Sequence, residues 1–280
     1  MAEQGSTVPR AGPVGGDVVR RHHAATRLWH WINFAALLIL LASGLAIFNA
    51  HPMLYWGTDG AYPEDAWLLV GSVGDAGYLQ IGERTVETTG VLGYWANEKG
   101  EMRRWAFPEW SILPSNSNLA IARRWHLTFG WLFALGLGAF LVASLVNGHL
   151  RALLPGRREM APRHLLGCCR DHAMLRFPRG AEAIRYNVLQ KLSYLAVIVV
   201  LIPVMILTGL AMSPGIVAAW PWLLDLFGGR QSARSVHFIV AVLLVLFFLV
   251  HILMILLSGP LNHLRSMITG GYRLPKERGR

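Results

Sequence analysis

Four histidines stand where imidazole is expensive. His30 and His126 lie near the starts of two long apolar segments, and His237 and His251 lie fourteen residues apart on another. An ionisable ring placed in hydrocarbon usually has a functional reason to be there. Fourteen residues at about 100° and about 1.5 Å each bring His237 and His251 close to one helix face, roughly 21 Å apart along the axis. Two imidazoles from opposing helices fill both axial positions of a haem, an arrangement suited to electron transfer rather than chemistry at an open coordination site.

The elements that must carry these rings follow from composition. Hydrophobic residues make up 54% of the 280 and charged residues 15%, too few charges to cover an ordinary globular surface. Segments 31–48, 127–146, 192–212 and 238–257 contain no Asp, Glu, Lys or Arg. Each is long enough to cross a hydrocarbon core of about 30 Å. The sequence therefore predicts an all-α membrane protein, a bundle of four transmembrane helices with a long outer loop between the first and second. Residues 1–26 form a cytoplasmic arm, 27–272 the membrane domain and 273–280 a basic tail. The first span reads as an uncleaved helix, since no small-residue cleavage site follows it.

Charge orients the bundle. Residues 1–27 carry four Arg, 149–187 eight Arg against three acids, and 259–280 five basic residues against one acid. The 50–118 segment carries nine acids against four basic residues. The positive-inside rule places both termini and the 149–187 loop in the cytoplasm and 50–118 outside. The net charge of +10 is then a skirt beside anionic lipid headgroups rather than a nucleic-acid surface. With the first span running outward and the second and fourth inward, depth pairs His30 with His251 and His126 with His237.

No C-x-x-C-H motif is present, so the haems are expected to be b-type. Arg27 precedes His30 by about one turn, Arg123 and Arg124 precede His126, and Arg234 precedes His237, so each is a candidate to meet a propionate or a lipid headgroup. Gly44, Gly130, Gly136, Gly138 and Gly209 would admit a porphyrin or allow close helix packing. His22, His23, His51, His149, His164, His172 and His263 fall in polar arms or at helix exits, with His149 and His263 as reserve ligands. Cys168 and Cys169 read as incidental thiols, and a zinc signature is absent. The 50–118 segment, rich in Gly, Trp, Tyr and Pro, reads as an aromatic cap or docking surface with weak strands near 77–81 and 85–94. No tandem repeat is evident.

The segments RLWHWINFAALLILLASGLAIFNAHPMLYWG, ARRWHLTFGWLFAL, RYNVLQKLSYLAVIVVLIPVMILTGLAMSPG and SARSVHFIVAVLLVLFFLVHILMI resemble the bacterial di-haem cytochrome b membrane subunits. The resemblance extends from about His22 to Tyr272. It is strongest to the thiosulfate-reductase type and also reaches the formate dehydrogenase-N and nickel-iron hydrogenase subunits, from which the 69-residue segment 50–118 departs. It implies two b haems on His30, His126, His237 and His251, and electron exchange between the quinone pool and a partner oxidoreductase. That partner would carry a molybdopterin cofactor, with or without an iron-sulfur subunit. By the same resemblance a quinone site lies near the cytoplasmic haem, with Asn33, Asn187, Gln190, Lys191 and His263 as candidates. Two other readings are a haem-free membrane anchor and a histidine-using proton or metal transporter. The transporter predicts Asp or Glu within the spans, which hold none.

Overall fold

A computed structural model describes residues 16–146, 153–174 and 187–274. His149, the arm before residue 16 and the tail after 274 lie outside them. The four apolar segments are helical: α1 (Ala24–Asn49), α2 (Leu119–Val146), a third span covering Val188–Ala211, and a fourth covering Arg230–Ser258. At most 22% of any span's most apolar stretch is buried, so long aliphatic faces such as Leu135, Leu145 and Leu246 point outward. Water would oppose that exposure and lipid would not.

The ends of the helices follow local chemistry. Asn118 Oδ1 accepts from the Ile121 amide at 3.1 Å and caps α2. A short helix α3 (Pro162–Ala173) precedes the third span. That span opens as α4 (Val188–Leu195), widens into a π segment over Ala196–Leu201, and continues as α5 (Ile202–Ala211). Pro203 sits just past the π segment. It lacks the N–H that would bond to the carbonyl four residues back, and a π turn is one way for the ladder to absorb that loss. Two one-turn helices, α6 (Pro214–Ala219) and α7 (Trp222–Phe227), lead through Gly228 and Gly229 into α8 (Arg230–Ser258). Gly259 and Pro260 then stop α8 and start α9 (Pro260–Thr269).

The chain divides into two compact units. In the larger, residues 30–151 and 195–248, all four spans meet in one apolar layer. Phe133 and Leu137 of α2, Ile202 of α5, Leu40 of α1 and Leu244 of α8 pack there.

The 50–118 segment corrects the all-α expectation, because it folds as β-structure. Strands β2 (Met53–Leu54), β3 (Leu68–Val73), β4 (Ala76–Ile81) and β5 (Arg84–Glu87) form an antiparallel sheet in sequence order. Strands β6 (Trp95–Ala96) and β7 (Met102–Arg103) form a hairpin beside it. The strand expected over 85–94 ends at Glu87, since Gly90 and Gly93 adopt positive φ and turn the chain. Gly93 also crosses so close to the Gly71 carbonyl that a Cβ would collide with it.

This β module shares its core with the helix ends: Leu54, Leu68 and Val70 bury against Phe48 of α1, with Phe238 of α8 packed beside them. Polar bonds fix the register. The Asn49 side chain exchanges hydrogen bonds with the Phe107 backbone, and the Gly57 amide donates to Ser232 Oγ at 2.7 Å. Trp67 Nε1 donates to Ser235 Oγ at 2.8 Å, while Ser235 donates to the Tyr55 carbonyl.

In the smaller unit, strand β1 (Val18–Arg20) pairs antiparallel with β8 (Gly271–Arg273), so the two ends of the described chain are held together. Lys191 and Glu159 join at 2.9 Å, tying the start of the third span to the residues before α3.

Candidate functional site

In the larger unit, α2 and α8 bring His126 and His237 together edge-on, with ring centroids 6.2 Å apart and planes inclined by 61°. An imidazole nitrogen binds a metal at about 2.0 Å. Two five-membered rings trans across one iron would therefore have centroids about 6.3 Å apart, from that bond length and ordinary ring dimensions. The observed spacing fits a shared metal. Among the described residues no group of three or more His, Cys, Asp or Glu side chains is placed to hold a metal ion. Two imidazoles alone suit an iron that brings its remaining four donors with it, as a porphyrin does.

Each ring is braced from a neighbouring span. His126 Nδ1 lies 3.1 Å from Ser43 Oγ and 3.1 Å from the Leu40 carbonyl, both on α1. His237 Nδ1 lies 2.9 Å from Thr208 Oγ1 of α5. Gly44 and Gly209 face the rings: a Cβ at Gly44 would sit 3.3 Å from His126 Cε1, and one at Gly209 3.5 Å from His237 Cε1. Of the other glycines considered for porphyrin access, Gly130 faces Leu40 and Gly138 faces open space.

Composition and spacing do not single out Ser43 and Thr208, but the sequence carries one signal for them. Ser43-Gly44-Leu45-Ala46 and Thr208-Gly209-Leu210-Ala211 repeat one pattern on the first and third spans. A search for tandem repeats passes over two copies separated by more than half the chain.

His30 lies in the larger unit, edge-on to Trp31 at 5.3 Å, and its Nδ1 is buried with no hydrogen-bond partner. His251 lies in the smaller unit, on α8.

The arginines take different positions. Arg27 donates to the Ile268 carbonyl. Arg234 donates to the His51 carbonyl and lies over the Phe48 ring, bracing the β module against α8. Arg124 is exposed on α2.

The quinone candidates also separate. Asn187 and Gln190 form a capping box at the start of the third span: Asn187 Oδ1 accepts from the Leu189 amide, and Gln190 Oε1 from the Asn187 amide. Lys191 is committed to Glu159. His263 bonds to Ser258 at 3.0 Å and lies against Tyr272, and burial, with Arg21 and His251 nearby, holds its imidazole below the ordinary histidine range. Asn33 Oδ1, in the larger unit, is buried without a partner.

Residues 21–270 match the protein family described as prokaryotic cytochrome b561. The chain is also similar to the putative protein-methionine-sulfoxide reductase subunit YedZ1 of Azospira oryzae. The two are 32% identical over 242 residues, covering 86% of this chain and 92% of the relative. No solved structure matches it.

Proposed function

Since the chain belongs to the prokaryotic cytochrome b561 family and is a membrane protein that carries electrons on b-type haem, we propose that it holds two such haems and links a partner oxidoreductase to the quinone pool. The observation that carries this reading is the 6.2 Å spacing of His126 and His237, which matches two imidazoles on one iron. His126 and His237 ligate one haem, and His30 and His251 the other.

Helix geometry supports the second pair. His30 precedes Ser43, which touches His126, by thirteen residues on α1, about 20 Å along the axis. His251 follows His237 by fourteen residues on α8, about 21 Å. The spacing along each helix agrees with the pairing that depth and the sequence resemblance imply. When bound, each haem supplies a one-electron carrier. The chain's own residues orient it, and the apolar layer of Phe133, Leu137 and Ile202 keeps water from the interval below the His126/His237 level. Arg124, exposed two residues before His126, is a candidate to meet a propionate.

The β1–β8 pairing supports placing both ends on one side of the membrane, and the arginine distribution makes that side cytoplasmic. The His126/His237 haem then lies near the outer face, beneath the β module, where the partner docks. The name of the Azospira relative supports a partner that is a reductase subunit. A molybdopterin enzyme, with or without an iron-sulfur subunit, is the partner that the sequence resemblance favours. Quinone exchanges electrons near the cytoplasmic haem, as the sequence resemblance implies, and Asn33, whose buried Oδ1 has no partner, is one candidate to bind it.

The test is a reduced-minus-oxidised spectrum of the purified protein and its histidine variants. His126→Ala and His237→Ala should each abolish the same half of the b-haem signal, and His30→Ala and His251→Ala the other half. Absence of b-haem bands from the folded wild type would overturn the reading. Loss of one common component in His30→Ala and His237→Ala would overturn the pairing.

A further inference from the structure

Two hydroxyls on different spans do the same thing at the His126/His237 site. Ser43 and Thr208 are fully buried. Ser43 Oγ donates to the carbonyls of Ile39 and Leu40 at 2.6 and 3.2 Å, and Thr208 Oγ1 to those of Val204 and Met205 at 2.7 and 3.0 Å. The offsets are four and three residues back in both cases. With its one proton committed to its own helix, each hydroxyl can offer the neighbouring ring only a lone pair. The ring must then be the donor, at 3.1 Å from His126 Nδ1 and 2.9 Å from His237 Nδ1. A backbone carbonyl reinforces the assignment at His126, because it can only accept. The Leu40 carbonyl, three residues before Ser43 on α1, lies 3.1 Å from His126 Nδ1. A glycine follows each hydroxyl and lies against the ring's Cε1.

We propose that Ser43 and Thr208 are the positioning residues of this haem site, each holding its imidazole as the Nδ1–H tautomer so that the Nε2 lone pair is directed at iron. The inference rests on the assignment of His126 and His237 as ligands. Two helix pairs supply one ring each by the same device, a buried hydroxyl and the following glycine on one span bracing a histidine on the next. A hydrogen bond donated from Nδ1 also raises the basicity of Nε2 and favours the ferric state, so the two hydroxyls lower the reduction potential of the haem they orient.

The experiment is a redox titration of the b-haem absorbance, with low-spin ferric spectra, on full-length protein in detergent. Ser43→Ala and Thr208→Val remove the acceptors; Ser43→Thr and Thr208→Ser keep them. The first two should raise the midpoint of one and the same haem by an amount approaching a tenfold change in its reduction constant, about 59 mV for a one-electron couple. The second two should titrate as wild type. If the hydroxyl-free variants lose that haem while the hydroxyl-bearing ones keep it, positioning is upheld by the contrast. Superimposable titrations across all four variants, or equal haem loss in Thr208→Ser and Thr208→Val, would overturn it. A wild type carrying haem with unaltered variants rejects only the role of the hydroxyls. A folded wild type without haem rejects the ligand assignment and this inference with it.

Discussion

At the scale of single residues, His126 and His237 are distinguished from other histidines by what surrounds them. A histidine that merely satisfies a helix end faces solvent or a headgroup. These two face one another at 6.2 Å, and each meets a hydroxyl that has already used its own proton. The two glycines are close to equivalent but not fully so. A methyl at Gly44 would press on His126 Cε1 at 3.3 Å, whereas one at Gly209 would meet His237 Cε1 at an ordinary 3.5 Å. Gly44→Ala should therefore displace its ring by a few tenths of an ångström and lower haem occupancy or broaden the ferric spectrum. Gly209→Ala should stay near wild type. Equal spectra for the two variants would show that α1 yields to the added methyl. The histidines stand out in the sequence because they interrupt apolar runs. The hydroxyls do not, since Ser and Thr are common in membrane helices and become informative only when a neighbour's ring is seen against them.

At the scale of elements, the third span differs most from a plain apolar helix. It begins with the Asn187–Gln190 capping box, widens at Ala196–Leu201 and ends beside the His237 ring through Thr208. Its start is also clamped by charge. Glu159 accepts from the Gly156 amide at 2.7 Å and from Lys191 at 2.9 Å, and these two, the amide first, hold its carboxyl below the ordinary value of 4.5. A carboxyl whose folded value is depressed contributes stability that is fully present above its unfolded value and is lost as pH falls through the folded one. Thermal stability in detergent should therefore decline below about pH 4.5, and Glu159→Gln should flatten that acid slope. Lys191→Ala should flatten it less, because the amide bond remains. An unchanged slope in Glu159→Gln would assign acid sensitivity to other carboxylates. Helix existence was legible here from the charge-free run. The commitment of Lys191, Asn187 and Gln190 to capping and pairing was not, because the partners Glu159 and the backbone amides become neighbours only after folding.

At the scale of the whole molecule, topology is the statement most open to a direct check. Cys168 and Cys169 sit on α3, in the segment that charge places in the cytoplasm. Cys169 is exposed, whereas burial pushes the Cys168 thiol up, so Cys169 should react first with a maleimide at neutral pH. A membrane-impermeant maleimide should label inverted vesicles and leave intact spheroplasts unlabelled. The opposite pattern would invert the topology and exchange the inner and outer haems. By itself the sequence determined the four spans, their sidedness as an expectation, and the four candidate rings, because periodicity, charge exclusion and spacing along one helix are local properties of a chain. It also determined the family, through motifs that cover nearly the whole length. Weak strands near 77–81 and 85–94 were legible, but the tertiary structure alone decided that residues 50–118 build a four-stranded sheet sharing a core with Phe48 and Phe238. Its strands are too short and too broken by glycine to show a clear alternation before they pair. The structure alone also brought Ser43 of one span and Thr208 of another against the two rings. Which residues touch across helices depends on helix rotation and packing, and an all-apolar helix in lipid carries little of that information in its own hydrophobic pattern.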